Sequence, residues 1–462
     1  MNRRGIKAGA LLSLSVFGLG ACMVGPDYER PEVVAPEDYD MPVLSGESIA
    51  NAEWFTLFND PDLVSLVNIA LEENKDLLTA VARVEEARAQ LGFVEADLFP
   101  QVNGQVGGQK ANGTLIPGLR TDNYRLAAGV SWEIDLWGKL RRSNEAARAQ
   151  LLSTVEARNQ VIITLVADVS SAYLLLLDLD DRVLIAEDTL ATRKHSTSII
   201  QARFDEGIVP LLDVNQAQIE EADAAVQLAA LIRAREQTEN ILSVLLGRNP
   251  GSITRQGGLG KQTVPEGVPT GLPSELLERR PDIRQAEQAL AAQTALIGVA
   301  QAQRFPSLSL TGAYGLVSND LSDFIDSDNT AGAFGFDFIG PIFDAGKRRS
   351  QVEAERARTE QLQRQYEKTV IAAFAEVENT LIAISTYTDE LNARVDQVVA
   401  AKSASSLSRA RYDGGVTSYL EVLESERSRF RAELSESIVR RERLVALVTL
   451  YKALGGGWVP EP

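Results

Sequence analysis

Apolar residues at Leu165, Val169, Ala172, Leu176, Leu179, Val183, Ala186 and Leu190 step by four and three along Lys139–Glu206, a stretch without Gly or Pro. That spacing puts one apolar stripe on a helix packed lengthwise against another helix. At about 1.5 Å per residue the helix runs roughly 100 Å. Lys347–Asp413, also free of Gly and Pro, repeats the feature with Phe374, Val377, Leu381, Ile384, Thr388, Leu391, Val395 and Val398. Two such helices predict a conduit or a spacer rather than a compact enzyme.

Elsewhere the period changes. A helical face begins near Pro61 with Leu63, Leu66, Val67, Ala70 and Leu71, and continues through Val81, Val84 and Leu91 to Leu98. Phe99-Pro100 stops it, and the alternation becomes two: Val102 and Val106 against Gln101, Asn103 and Gln105, then Leu126, Ala128, Val130, Trp132, Ile134 and Leu136 against polar or small neighbours. One apolar face ending in Trp132 and Trp137 is the pattern of a membrane β-strand with lipid outside and water inside. A soluble half-buried hairpin gives the same alternation. After the first long helix, Gly207-Ile208-Val209-Pro210 predicts a turn, Leu211–Leu246 a returning helix, and the Gly-, Pro- and Thr-rich 247–273 a connector.

The second half replays the first. Leu277-Glu278-Arg279-Arg280-Pro281-Asp282-Ile283 answers Leu71-Glu72-Glu73-Asn74-Lys75-Asp76-Leu77, and Phe305-Pro306 answers Phe99-Pro100. Gly346-Lys347 answers Gly138-Lys139, and Arg411-Tyr412-Asp413-Gly414-Gly415-Val416 answers Arg203-Phe204-Asp205-Glu206-Gly207-Ile208. Strand alternation returns at Leu308, Leu310 and Tyr314 and at Phe334, Phe336, Phe338 and Ile342. The chain therefore divides into repeats over 61–246 and 274–454, each a helix, two strands, a very long helix and a returning helix, with a tail over 455–462. Four strands cannot close a barrel, since about eight is the practical minimum, and open edges are not tolerated in lipid. If the strands lie in a membrane, copies must assemble. Two copies give eight strands and three give twelve, and the count alone does not choose.

Composition narrows the classes. The formal net charge of −18 excludes a nucleic-acid partner of the usual basic kind. The basic runs Lys139–Arg142 and Lys347–Arg349 each follow a strand and open a long helix, which reads as a positional signal. One Cys and one His exclude an intrachain disulfide and a multi-Cys zinc site. His195 stands in a polar helical run and reads as a solvated surface residue. No catalytic constellation, cofactor site or metal site is legible. Residues 1–21 read as an export signal: Arg3, Arg4 and Lys7 precede the apolar Ala8–Leu19, too short to remain as a spanning helix. Residues 22–60 read as an anchor and an extended segment, from Gly25-Pro26-Asp27-Tyr28 onward, that wraps over a neighbour or tethers the anchor to the body.

Several motifs give the chain a family likeness: Leu19-Gly20-Ala21-Cys22, Gly25-Pro26-Asp27-Tyr28 with Arg30-Pro31, and Trp54 with Phe58. Two more are Trp132-Glu133-Ile134-Asp135-Leu136-Trp137-Gly138-Lys139 and Leu276-Leu277-Glu278-Arg279-Arg280-Pro281-Asp282-Ile283. Across essentially its whole length the chain resembles the TolC-type outer-membrane efflux proteins, in particular the lipoprotein branch called NodT- or OprM-like. The resemblance implies a mainly α fold with a membrane β-barrel: a homotrimer with a twelve-stranded barrel and a helical tunnel reaching about a hundred ångström into the periplasm. It implies docking to a periplasmic adaptor and an inner-membrane pump of the resistance-nodulation-division type. It also implies lipidation at Cys22, with Met23 rather than Asp following it and directing the protein to the outer membrane.

By position, the resemblance makes Leu420 an apolar ring and Glu421 and Glu424 an acidic ring at the periplasmic constriction. Three copies of two carboxylates in a narrow pore would attract cations. The alternative is that both glutamates are ordinary solvated helix positions. Asp213 and Tyr412 match a link that holds the closed state, while Thr417 stands where TolC has an arginine. A type I secretion duct shares this architecture, and a periplasmic coiled-coil scaffold would share the long helices without needing the strands.

Overall fold

A computed structural model describes residues 23–33, 36, 58–112, 120–262 and 276–456. The export signal, Cys22 and Trp54 lie outside the described residues, as do parts of the connector and tail. The described residues fall into two compact units, one within 1–33, 82–156 and 285–368 and the other within 34–81, 157–284 and 369–462.

The elements in order are helices α1 (Pro61–Glu73) and α2 (Lys75–Ala96), strands β1 (Gln101–Asn112) and β2 (Arg120–Ile134), and helices α3 (Lys139–Asp205) and α4 (Leu211–Leu245). The second set is α5 (Leu276–Arg279), α6 (Pro281–Ala302), β3 (Ser307–Ser318), β4 (Thr330–Ile339), α7 (Lys347–Asp413) and α8 (Tyr419–Ala453). The duplication shows in the lengths: α3 and α7 have 67 residues each, α4 and α8 have 35, and α2 and α6 have 22.

In the first unit the strands form one antiparallel sheet in the order β1-β2-β3-β4. Register aligns even-numbered residues with one another: Val102 faces Val130, Val130 faces Gly312 and Gly312 faces Phe334, while Trp132 faces Leu310 and Leu310 faces Phe336. One face is therefore apolar over residues 102–108, 124–134, 308–316 and 332–338. The other presents Gln101, Ser131 and Thr311, and Glu133, Ser309 and Asp337, interspersed with Gly and Ala. The strands stop earlier than the alternation predicts, β2 at Ile134 and β4 at Ile339. Gly340-Pro341 follows β4, and proline cannot continue a ladder, so Ile342 lies beyond the sheet.

The extended segment after Cys22 is held by its own chain. Val24 donates to Trp137 O at 3.1 Å. The Arg142 guanidinium, 2% exposed, donates to Gly25 O and to Asp27 Oδ1. Arg30 grips Glu287 with two bonds of 2.8 and 2.6 Å, and Tyr28 Oη donates to the same carboxylate. Glycines permit this close approach: a Cβ on Gly298 would stand 2.8 Å from Val24 O, and one on Gly25 2.4 Å from Gly298 Cα. The basic run at Lys139–Arg142 thus does more than mark where strand becomes helix, because Arg142 is the seat of this strap.

In the second unit, one apolar core collects Leu63, Val67, Ala70, Leu165, Val169, Tyr173, Leu176, Leu177, Leu242 and Leu246. Of the seam read on α3, Leu165, Val169, Leu176, Leu179, Val183 and Ala186 are buried and Ala172 and Leu190 half-buried, and that on α7 fades at Val395, which is exposed. The helix expected from Pro61 to Leu98 is two helices. Asn74 ends α1 and caps α2, accepting from Asp76 N and Leu77 N at 2.9 Å each, while its amide donates to Leu245 O at 2.8 Å. Gly247, φ +69°, lies so close that a Cβ there would sit 2.1 Å from Glu73 O. Arg280, the image of Asn74, donates likewise to Ala453 O at 2.6 Å, beside Gly455, φ +70°.

Candidate functional site at the helix turns

Each long helix ends in a glycine whose left-handed backbone reverses the chain. At the first turn, Gly207 (φ +72°) and Ile208 return hydrogen bonds to Phe204 O and Arg203 O, both 2.8 Å. At the second, Gly415 (φ +70°) and Val416 return theirs to Tyr412 O and Arg411 O, both 2.9 Å. This is the Schellman arrangement, which satisfies carbonyls the helix end would otherwise orphan.

Next to the turns Ile200, Val214, Ala217, Tyr419, Val422 and Leu423 form a small apolar core, with Phe204, Val209 and Tyr412 packed against it. Because Tyr419, Val422 and Leu423 point into that core, the helical period turns Leu420, Glu421 and Glu424 outward. Leu420 is 57% exposed, and the side chains of Glu421 and Glu424 are 42% and 65% exposed. Glu421 is tethered within its chain: Thr417 Oγ1 donates to it, and Arg411 Nη1 lies 3.6 Å away. Glu424 has a loose neighbour in Arg427, whose Nη1 is 3.9 Å away.

The residues read as a lock are only partly brought together. Tyr412 rests against the Tyr419 ring at 5.3 Å between centroids, with the Arg203 guanidinium 5.1 Å from its own centroid. Its hydroxyl is buried without a hydrogen-bond partner among the described residues, so it is not joined to Asp213, which is half-buried at the start of α4. Thr417 engages Glu421 instead of either.

A buried ionic layer nearby has no counterpart among the expected site residues. Glu220 on α4, 4% exposed, receives Arg193 of α3 at 3.2 Å and Arg427 Nε of α8 at 2.5 Å. Arg409 of α7 lies 3.3 Å from Glu426 of α8 and donates to Ser196 of α3. All four helices contribute. Burial pushes the Glu426 carboxyl above its ordinary range against the pull of Arg409, Arg193 and Arg429. No local spacing announces this layer, since Glu220 and Arg427 are 207 residues apart.

The arrangement offers an exposed apolar and acidic surface at helix turns, backed by a charged layer. The family model for outer membrane efflux proteins matches twice, over residues 66–248 and 272–456. The chain belongs to the outer membrane efflux protein family. Among its relatives is the outer membrane protein OprJ of Pseudomonas aeruginosa, 34% identical over 455 residues, covering 96% of this chain and 95% of OprJ. Another is the cation efflux system protein CusC of Escherichia coli O157:H7, 32% identical over 447 residues, covering 96% and 97%. The open-state structure of the MtrE outer membrane channel of Neisseria gonorrhoeae matches with a TM-score of 0.85 at 32% identity, over 94% of this chain and 98% of MtrE. This efflux family member thus has the TolC-type channel fold and is an outer-membrane protein.

Proposed function

We propose that the protein is the exit duct of a tripartite efflux pump, working as a homotrimer whose strands close one twelve-stranded barrel. The observation that carries the reading is the sheet itself: four strands with an apolar face over residues 102–108, 124–134, 308–316 and 332–338, and two unpaired edges. Lipid can accept the face but not the edges. Each repeat, 61–246 and 274–454, supplies two of the strands and one long helix to a tunnel wall. A periplasmic adaptor and an inner-membrane pump of the resistance-nodulation-division type deliver the cargo, and lipidation of Cys22 anchors the protein in the outer membrane. Leu420, Glu421 and Glu424 ring the periplasmic constriction, and Asp213, Tyr412 and Thr417 belong to the contacts that hold it closed.

The cargo is small compounds, with antibiotics, solvents and metal cations as the classes to test, the last because CusC is a cation efflux protein. Deleting the gene should raise susceptibility to at least one of these classes, with restoration by the intact gene. The purified protein should require detergent and migrate as a trimer until heated. A soluble monomer indifferent to detergent would overturn the reading.

A further inference from the structure

The junction between strand and long helix occurs twice in the chain, and the two copies handle their charge differently. In the first repeat Lys139 Nζ lies 2.6 Å from Glu133, and Arg141 Nε lies 3.1 Å from Asp135. Both cations are neutralised by acids at or next to the end of β2. At the offset that carries Gly138-Lys139 onto Gly346-Lys347, Glu133 falls on Pro341 and Asp135 on Phe343. The second repeat therefore keeps the basic run and replaces its acidic partners by apolar residues. At the offset that carries Phe99-Pro100 onto Phe305-Pro306, Leu98 falls on Arg304, which adds a cation just past the end of α6.

The contacts follow from this exchange. Arg304 and Lys347 are exposed and pair with no carboxylate among the described residues. Arg348 lies 3.6 Å from Asp344, and its Nη1 donates to Gln303 O. Arg349 meets Glu353 at 2.9 Å with both side chains exposed, a pairing worth little in water. Asp344 is engaged at the start of α7, where it accepts from Gly346 N at 3.1 Å and Arg348 N at 3.3 Å. Positive charge is thus in surplus here. Arg304, Arg348 and Arg349 line one hollow of about 240 Å³ together with Pro341, Ile342 and Phe343, and Asp344 is the one acid among the described residues of its wall. That is room for a headgroup and not merely for a water.

The apolar part of the hollow continues a surface already described. Ile342 and Phe343, 103% and 88% exposed, are the two most exposed large apolar side chains among the described residues. They follow directly on β4, whose Phe334, Phe336 and Phe338 are 80%, 70% and 58% exposed on the apolar face. An apolar strand face that ends in an aromatic residue and passes at once into a basic run has the pattern of a membrane–water boundary.

We propose that Arg304, Lys347, Arg348 and Arg349 hold the headgroup of an anionic phospholipid from the periplasmic leaflet of the outer membrane, with Ile342 and Phe343 against its glycerol and upper acyl chains. The proposal rests on the duct reading above, which puts the apolar face in lipid and the long helices in the periplasm. Charge decides the class of lipid. Surplus cations attract a phosphate that carries net charge, whereas a zwitterionic headgroup brings an ammonium up to the same cations. Each chain carries one such site, because the junction of the first repeat is already neutralised by Glu133 and Asp135.

Native mass spectrometry of the detergent-solubilised, full-length trimer tests the site, with phosphatidylglycerol as the probe and phosphatidylcholine as the zwitterionic comparison. The parent should take up to three phosphatidylglycerols per trimer and prefer them to phosphatidylcholine. Arg304→Gln with Lys347→Gln should weaken phosphatidylglycerol binding about tenfold, as the loss of two cations at a charged surface predicts. Lys194→Gln with Lys368→Gln, the same change of charge at exposed positions further along α3 and α7, should leave it unchanged. Ile342→Asn with Phe343→Asn should weaken binding too, and excess inorganic phosphate should fail to displace the lipid. No preference over phosphatidylcholine, equal affinity in the parent and the Arg304→Gln, Lys347→Gln protein, equal loss in the Lys194→Gln, Lys368→Gln protein, or displacement by inorganic phosphate would overturn the site and leave the duct standing. So would an Ile342→Asn, Phe343→Asn trimer that separates at a lower temperature with lipid binding intact, since a neighbouring copy then covers those residues. Absence of a trimer in the unsubstituted protein would overturn the duct itself.

Discussion

At the residue scale, the two acidic positions at the turns are not equivalent. Glu421 is held by Thr417 and Arg411, whereas Glu424 has only the distant Arg427 at 3.9 Å among the described residues. In a planar bilayer, Glu421→Gln with Glu424→Gln should lower the preference for cations, and Glu424→Gln alone should account for most of the change. An unchanged reversal potential in the double variant would remove both from the constriction. Glu426 acts differently. Its folded pKa lies above its ordinary value of 4.5 because it is buried. Its contribution to stability is therefore full below the unfolded value and is lost as pH rises through the folded one. Glu426→Gln should raise the thermal midpoint relative to the parent at pH 7 and give up that advantage near pH 4.5. The same difference at both pH values would show that Glu426 is not the group responsible. Neither the Arg411 contact of Glu421 nor the burial of Glu426 is legible in the sequence, because Arg411 is ten residues away and the ionic layer is assembled from four separate helices.

At the element scale, two glycines with nearly the same backbone angle make opposite demands on space. Gly207, φ +72°, has nothing within 4 Å of where a Cβ would stand, while Gly247, φ +69°, has Glu73 O at 2.1 Å. Gly207→Ala should cost about 1 kcal/mol, the penalty of a left-handed backbone alone. Gly247→Ala should cost more than about 3 kcal/mol, because Asn74 and the α1–α2 break must also move. Thermal loss of helical circular dichroism compares them, and equal losses would contradict the packing described at Asn74. The long helices, the strands and the turns are legible because their periods and breakers are local: α7 runs from Lys347 to Asp413 as its lack of Gly and Pro predicts. The break at Asn74 is not legible. Leu63 through Leu77 keep one apolar stripe across it, and what divides the helix is a bond to Leu245 O, 171 residues distant. Arg142 reads only as part of a positional basic run for the same reason, since its partners Val24, Gly25 and Asp27 lie more than a hundred residues before it.

At the scale of the whole molecule, one chain leaves much apolar surface uncovered. On α7, Ile371, Val399 and Leu407 are each more than 60% exposed. In the second unit these positions belong to none of the apolar cores among the described residues, and in the trimer proposed above neighbouring copies would cover them. Replacing Ile371, Val399 and Leu407 together by Gln should lower the temperature at which the detergent-solubilised trimer separates, with the helix content of the separated chains unchanged. A trimer as heat-resistant as the parent would mean that these positions face water.

The two unpaired edges of the sheet carry a genetic consequence. A ring closes only if every member offers both a sound β1 and a sound β4, so a copy spoiled at one edge can still join through the other and leave the ring incomplete. When intact and spoiled chains are made in equal amounts and mix freely, only about one ring in eight is free of a spoiled member. A defect confined to a single strand would then be dominant over a normal allele in the same cell.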